Sequence, residues 1–124
     1  MTKKISILVN DFEIEATLLE DKCPQTCAKI WESLPLKGKA KIYKEEIYFD
    51  IPIEIEPENA IPNTEQGDIS YWPEGPAFCI FFGDSQPVSP VNTFGKIEEG
   101  IEKLQQVEQG DKVTVRKSPS GQEL

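Results

Sequence analysis

The chain has 124 residues, 13 of them basic and 22 acidic, for a formal net charge of −9. That length suits one domain with one core, the negative surface repels nucleic acid and anionic membranes, whose affinity rests on phosphate contacts, and no apolar run is long enough to span a bilayer. Histidine is absent and Arg116 is the one arginine, which excludes Ser-His-Asp, Cys-His and histidine–metal chemistry and leaves Asp, Glu, Lys, Tyr or Cys for any acid or base.

Ile5, Ile7 and Val9 alternate with Ser6 and Leu8, and Phe12, Ile14, Ala16 and Leu18 alternate with charged or polar residues. Period 2 on both sides of the Asn10-Asp11 pair predicts a β-hairpin. The basic start is therefore part of a strand and not a signal peptide, and the expected location is the cytoplasm. In EDKCPQTCAKIWESLP, Pro24 suits a first helical turn, and Cys27, Ile30, Trp31 and Leu34 fall on one helical face. Pro35 ends that helix, and Trp31 is expected in the core.

A new segment opens at Gly38. The run Ile47, Phe49, Ile51, Ile53, Ile55 alternates with Tyr48, Asp50, Pro52, Glu54 and Glu56. It predicts one strand, or two broken near Pro52, because proline cannot donate in a central ladder. Residues 57–67 read as a loop long enough to cover a site. Gly67–Gly83, GDISYWPEGPAFCIFFG, reads as two apolar strands around a Pro/Gly turn. The uncharged run Ala77–Phe82 suits a strand buried on both faces. Its aromatics are either core or the floor of a pocket. A second proline-rich loop spans 83–92, a strand returns at 93–97, a helix is expected over Glu98–Val107, and Lys112–Arg116 is a last strand. The barrel domain is expected over 1–117, with 118–124 a frayed tail.

Cys23, Cys27 and Cys79 make an odd count, against a disulfide framework. A zinc site would need all three plus a carboxylate. Buried thiols acting as small apolar groups are the default, and neither metal nor cofactor is expected. The element order favours a mainly β fold, a closed antiparallel barrel capped by two helices, since closure removes exposed edges.

Three segments resemble the cyclophilins: Leu18–Leu34, which is similar to the family's acidic-Lys-x-Pro-x-Thr lead into its first helix; Ala77–Phe82, with the Phe81-Phe82 pair; and Phe94–Val107, which is similar to its Phe-Gly-Lys-Val-x-x-Gly segment and the helix after it. Each motif is weak alone; together, in order, they span nearly the whole chain. The Gly67–Gly83 pattern resembles a small prokaryotic branch of cyclophilin-like proteins with unassigned activity. The resemblance implies a cyclophilin-like barrel and, in ordinary members, prolyl isomerisation in an apolar pocket with an arginine on the twisted amide.

At the matching positions this chain departs from that pattern. The Phe-His-Arg-Ile strand corresponds to Tyr48-Phe49-Asp50-Ile51, so Asp50 stands for the arginine. Val91 stands for the pocket histidine, and neither the pocket tryptophan nor the Gln-Gly-Gly segment has a counterpart. A carboxylate there would weaken stabilisation of the twisted amide. The resulting expectation is a cyclophilin-like module that binds a peptide or small molecule, with a cationic group favoured, and contacts neither nucleic acid nor membrane. The alternative is a prolyl isomerase with an altered site. A hydrolase or lyase using Asp50 or Glu46 as base, with Cys79, is a further enzymatic reading, since a carboxylate in an apolar groove has a raised pKa. Groove candidates are Glu46, Tyr48, Asp50, Tyr71, Trp72, Phe78, Phe81, Phe82 and Val91, with Asp50 the catalytic candidate. Whether Asp50 faces an aromatic pocket or water separates these readings.

Overall fold

The computed structural model describes residues 3–119. Alternation in the first hairpin becomes β1 (Lys4–Val9) and β2 (Phe12–Leu18), paired from Lys4↔Thr17 to Val9↔Phe12. Asn10 takes the left-handed conformation that such a two-residue connection demands, at φ 54°. Ile5, Ile7, Val9, Ile14, Ala16 and Leu18 are buried in one core, while Glu13 and Glu15 face out.

The remaining elements are α1 (Pro24–Ser33), β3 (Leu36–Lys39), β4 (Lys41–Tyr43), β5 (Glu46–Asp50), β6 (Asp68–Trp72), β7 (Ala77–Phe81), β8 (Asn92–Ile97), a 3-10 helix (Ile101–Gln106) and β9 (Lys112–Lys117). The strands form one antiparallel sheet in the order β3-β9-β1-β2-β8-β6-β7-β5-β4. Its two ends are consecutive in sequence, joined at Ala40, and this nearly closes the sheet into a barrel. At the seam Gly38 of β3 lies so close to β5 that a Cβ there would meet Phe49 Cδ2 at 2.5 Å. On the open edge, the Ile42 N–H of β4 donates to Gln109 Oε1 at 3.0 Å, so that edge donor is capped.

Several expectations change in detail. β5 stops at Asp50, and residues 51–55 leave the sheet. β3 begins directly after the helix, earlier than the Gly38 start expected. The helix expected over 98–107 is a 3-10 helix over 101–106, begun by Gly100 at φ +89°. Its stripe Ile101, Leu104, Val107 repeats every third residue, which matches the three-residue turn of a 3-10 helix. Ser118, expected to begin the tail, is buried, and its N–H donates to Lys4 O at 3.0 Å. Residues 120–124 of that expected tail lie outside the described residues.

The N-terminus of α1 has no cap from its own sequence, because Cys23 makes no capping bond. Glu58, from the loop before β6, supplies it. Its carboxylate accepts from Gln25 N (3.0 Å), Thr26 N (2.8 Å) and Thr26 Oγ1 (2.7 Å). Asn92, fully buried at the start of β8, ties the parts together: its Nδ2 donates to Thr26 Oγ1 and Glu56 O, both at 3.1 Å, and its Oδ1 accepts from Glu58 N at 2.9 Å.

Candidate functional site

Strands β5, β6 and β7 are buried on both faces. Inward go Ile47, Phe49, Ile69, Tyr71, Phe78 and Ile80, part of the main core. Outward go Glu46, Tyr48, Trp72, Ala77, Cys79 and Phe81; of these, Ala77, Cys79 and Phe81 form a second, smaller core against which Tyr48 and Trp72 pack. The loop 83–92 lies over that outer face. It is tied down at Asp84, whose N–H donates to Glu45 Oε1 at 2.7 Å, and at Ser85, whose Oγ accepts from Glu45 N at 2.8 Å. Gln86 pairs with both main-chain groups of Thr64, at 2.7 and 3.1 Å, and Ser89 Oγ accepts from Trp72 Nε1 at 2.6 Å. The return of the loop is fixed by a bridge between Val91 and Ile61, with N···O distances of 2.9 and 3.0 Å.

Between this loop and the sheet is a cavity of about 90 Å³, lined by Tyr43, Glu46, Tyr48, Trp72, Pro87, Val88 and Val91. Its lip is apolar and wet: Val88 is 66% exposed and Tyr43 36%. Its one charged lining group is Glu46, only 7% exposed. Burial raises the Glu46 pKa, offset in part by a hydrogen bond from the Cys79 thiol beside it. Glu46 makes no ion pair among the described residues. Both lip-side tyrosines already draw a cation to a ring: Lys44 Nζ lies 5.4 Å from the Tyr43 centroid and Lys41 Nζ 5.8 Å from that of Tyr48. At exposed sites such contacts are worth about 0.5–1 kcal/mol.

A wider cleft of about 630 Å³ lies beside α1, lined in part by Asp21, Lys22, Asn63, Asp68 and Lys96. Two of its carboxylates share one lysine, since Lys96 Nζ sits 3.0 Å from Asp68 Oδ1 and 3.4 Å from Glu65 Oε1. The small cavity is the one that pairs an unmatched carboxyl with aromatic walls.

The chain matches the family described as cyclophilin-like over residues 3–116. It belongs to the cyclophilin-like family. Among solved structures, it is similar to the hypothetical protein AF2241 from Archaeoglobus fulgidus, with 34% identity and a TM-score of 0.80 over 94% of this chain and 95% of that one. It shares its fold with McbB, solved in complex with tryptophan (16% identity, TM-score 0.79, 93% of this chain and 45% of that one). The same holds for a cyclophilin-type peptidyl-prolyl cis-trans isomerase of Cryptosporidium parvum (14% identity, TM-score 0.66, 95% and 98% of the two chains). No curated protein matches the chain.

The cyclophilin-like barrel brings four of the candidates, Glu46, Tyr48, Trp72 and Val91, into one cavity, and sets Phe81 beneath it. The others go elsewhere. Asp50 points to water: its side chain is 67% exposed and pairs with Lys41 Nζ at 3.0 Å. Asp50, the residue that resemblance sets at the arginine's place, is therefore half of a solvated ion pair. Tyr71 lies inside the barrel, where its hydroxyl donates to Ile53 O at 2.8 Å and accepts from Ile55 N at 2.9 Å, pinning the segment after β5. Phe78 is also internal, stacked on Phe49 at 5.2 Å and edge-on to Phe94 at 5.7 Å. Phe82 packs against the main core.

Tyr43, Pro87 and Val88 were absent from the candidates. Tyr43 alternates in phase with no neighbour, and loop residues carry no periodic signal; only the loop's contacts reveal them. Cys23 and Cys27 are buried, with burial pushing their thiols up to about 11 and about 12. Among the described residues no group of three His, Cys, Asp or Glu is placed to hold a metal ion, and no helix is long and apolar enough to cross a membrane.

Proposed function

We propose that this cyclophilin-like domain is a binding module, and that its ligand is a small molecule or peptide side chain bearing a positive charge. One observation carries this: a buried carboxyl, Glu46, the one charged group lining the cavity, stands among aromatic and aliphatic walls with no ion pair among the described residues. Pockets bind through apolar contact and a few placed polar groups. A buried carboxyl whose ionisation is disfavoured gains a strong partner when a cation arrives, because opposite charge favours its ionised form. McbB, in complex with tryptophan, is a protein of this fold that takes an aromatic molecule bearing an amine; the Glu46 cavity remains the basis of the reading.

The isomerase alternative draws no support from the arginine position, where Asp50 and Lys41 neutralise each other in solvent. The test follows the Trp72 indole N–H resonance while a panel of small primary, secondary and quaternary amines, and their neutral isosteres, is titrated in. Shifts with amines and lost response in Glu46→Gln are expected. No shift with any amine overturns the reading. Acceleration of X-Pro tetrapeptide isomerisation comparable to an ordinary cyclophilin overturns it in favour of the enzyme.

A further inference from the structure

We infer that the group this cavity takes is an alkylated ammonium, a trimethylammonium or dimethylammonium head, rather than a primary amine. The inference rests on the cationic-ligand reading above and goes on to specify its chemistry. Three of the seven lining residues, Tyr43, Tyr48 and Trp72, present aromatic rings, and Pro87, Val88 and Val91 present only carbon in their side chains. Glu46 is the one charged acceptor. The Trp72 indole N–H is a donor and is already spent on Ser89 Oγ at 2.6 Å.

A primary ammonium carries three N–H donors. Each one that enters without an acceptor loses its hydration uncompensated. Besides one carboxylate, the walls offer as side-chain acceptors only the two tyrosine hydroxyls, and are otherwise π faces and alkyl groups, a poor match to three donors. They are well matched to a cation whose charge is spread over methyl groups. Those methyls pack against the Trp72 ring and compete with Lys44 and Lys41 for the Tyr43 and Tyr48 rings, while Glu46 supplies the opposite charge. The cavity, about 90 Å³, has room for one compact head. The lip adds a second constraint. Tyr43 at 36% and Val88 at 66% exposure remain wet unless the ligand continues past the head as an alkyl chain. Tyr43 and Val88 are two of the three exposed large hydrophobic residues among those described, and both line this cavity; the third, Ile61, lines the wider cleft. Burial of the Glu46 carboxyl agrees with this geometry, since a cation with few N–H groups favours its ionised form without demanding further acceptors.

The same head occurs on free choline-like molecules and on methylated lysine side chains. Calorimetric titration of the intact protein with choline, ethanolamine and 3,3-dimethyl-1-butanol, the neutral isostere of choline, decides the point. Choline is expected to bind at least tenfold tighter than either other compound, and Glu46→Gln and the lip variant Tyr43→Ala to lose at least tenfold of that affinity. Tyr43 is a lip residue, so the second variant reports even if the first folds poorly. Ethanolamine binding as well as choline overturns the inference and leaves the cationic pocket standing. The neutral isostere binding equally overturns both. A peptide carrying trimethyllysine, titrated alongside, assigns the source: tighter binding than choline marks a polypeptide ligand, weaker binding a free one.

Discussion

The two faces of β5–β7 are made from alternate residues of the same three strands, yet they do different work. Inward, Phe49 stacks on Phe78, which meets Phe94 edge-on, and every neighbour is apolar. Outward, the next residues along are Glu46, Tyr48, Cys79 and Trp72, buried under a loop instead of under other strands. The inner residues Ile47, Phe49, Ile69, Tyr71, Phe78 and Ile80 are all buried in the main core. The outer face is covered only where the loop reaches, and that incomplete cover leaves a cavity. In this fold the inner rows build the main core, and the outer rows build a smaller core with a cavity beside it.

Truncation on either face separates these roles. Phe78→Ala removes a fully buried ring from the aromatic stack and is expected to cost about 3–5 kcal/mol, read as a lowered denaturation midpoint, with cation affinity of the remaining folded protein unchanged. A loss of affinity at equal folded fraction would show that the inner stack shapes the pocket. Gly38→Ala probes the seam. Its added methyl would sit 2.5 Å from Phe49 Cδ2, inside a packed ring that cannot move aside, and overpacking of this kind costs about 1–3 kcal/mol. A neutral result would mean that β3 and β5 are less closely joined than the geometry has them.

The sequence marks some of this division and conceals the rest. The first hairpin is legible because β2 carries glutamates on one face and aliphatics on the other, so its alternation distinguishes core from solvent. β7 is buried at all five positions. There alternation still says which residues share a face, but not which face is the interior, and Tyr71 and Phe78 look as much like groove residues as Tyr48 and Trp72. Glu46 and Asp50 share a parity on β5, and local sequence cannot rank them. What separates them is the reach of loop 83–92, fixed by contacts of Glu45 with Asp84 and Ser85, some forty positions away. The helix cap is hidden for the same reason, because Glu58 lies 32 and 33 positions from the amides it accepts from.

Two glutamates sharpen the comparison through their opposite response to pH. For Glu58, burial raises the pKa but bonds from Gln25 and Thr26 outweigh it, and the net effect is lowering. A lowered folded pKa stabilises above the ordinary carboxylate pKa and loses that contribution as pH falls through the folded value. Glu58→Ala is expected to cost about 1 kcal/mol at neutral pH, the usual worth of a helix cap, and less in acid. For Glu46 the sign reverses. Its raised pKa means that stability is fully present below the ordinary carboxylate pKa and declines as pH rises toward the folded value. The Cys79 thiol facing it from β7 has its own pKa raised, by burial and by the Glu46 carboxyl beside it; Tyr43 and Tyr48 on β4 and β5 also line the cavity, with Lys44 and Lys41 over their rings. Thermal midpoints measured as pH rises from the ordinary carboxylate range should therefore be flatter in Glu46→Gln than in the parent, with the variant gaining stability relative to the parent as pH rises. Cation affinity of the parent should rise over the same interval, because the ligand binds the ionised form. An affinity independent of pH would remove Glu46 from the site.

Asp50→Ala is the smallest expected change and the most direct test of which carboxylate matters. Its partner is exposed Lys41, 44% accessible, and its own side chain is 67% accessible. Such surface pairs contribute about 0–1 kcal/mol and are screened by salt, so thermal and denaturant midpoints should barely move. Lys41 also lies 5.8 Å from the Tyr48 ring. Without Asp50 to hold it, that ammonium is freer to occupy the tyrosine face, so a slight weakening of external cation binding is expected, well under the loss caused by Glu46→Gln. Equal losses from the two substitutions would mean that the ligand spans both carboxylates and lies along β5, outside the cavity. A large loss from Asp50→Ala alone would place binding on the solvated end of β5, where resemblance to cyclophilins puts the catalytic arginine.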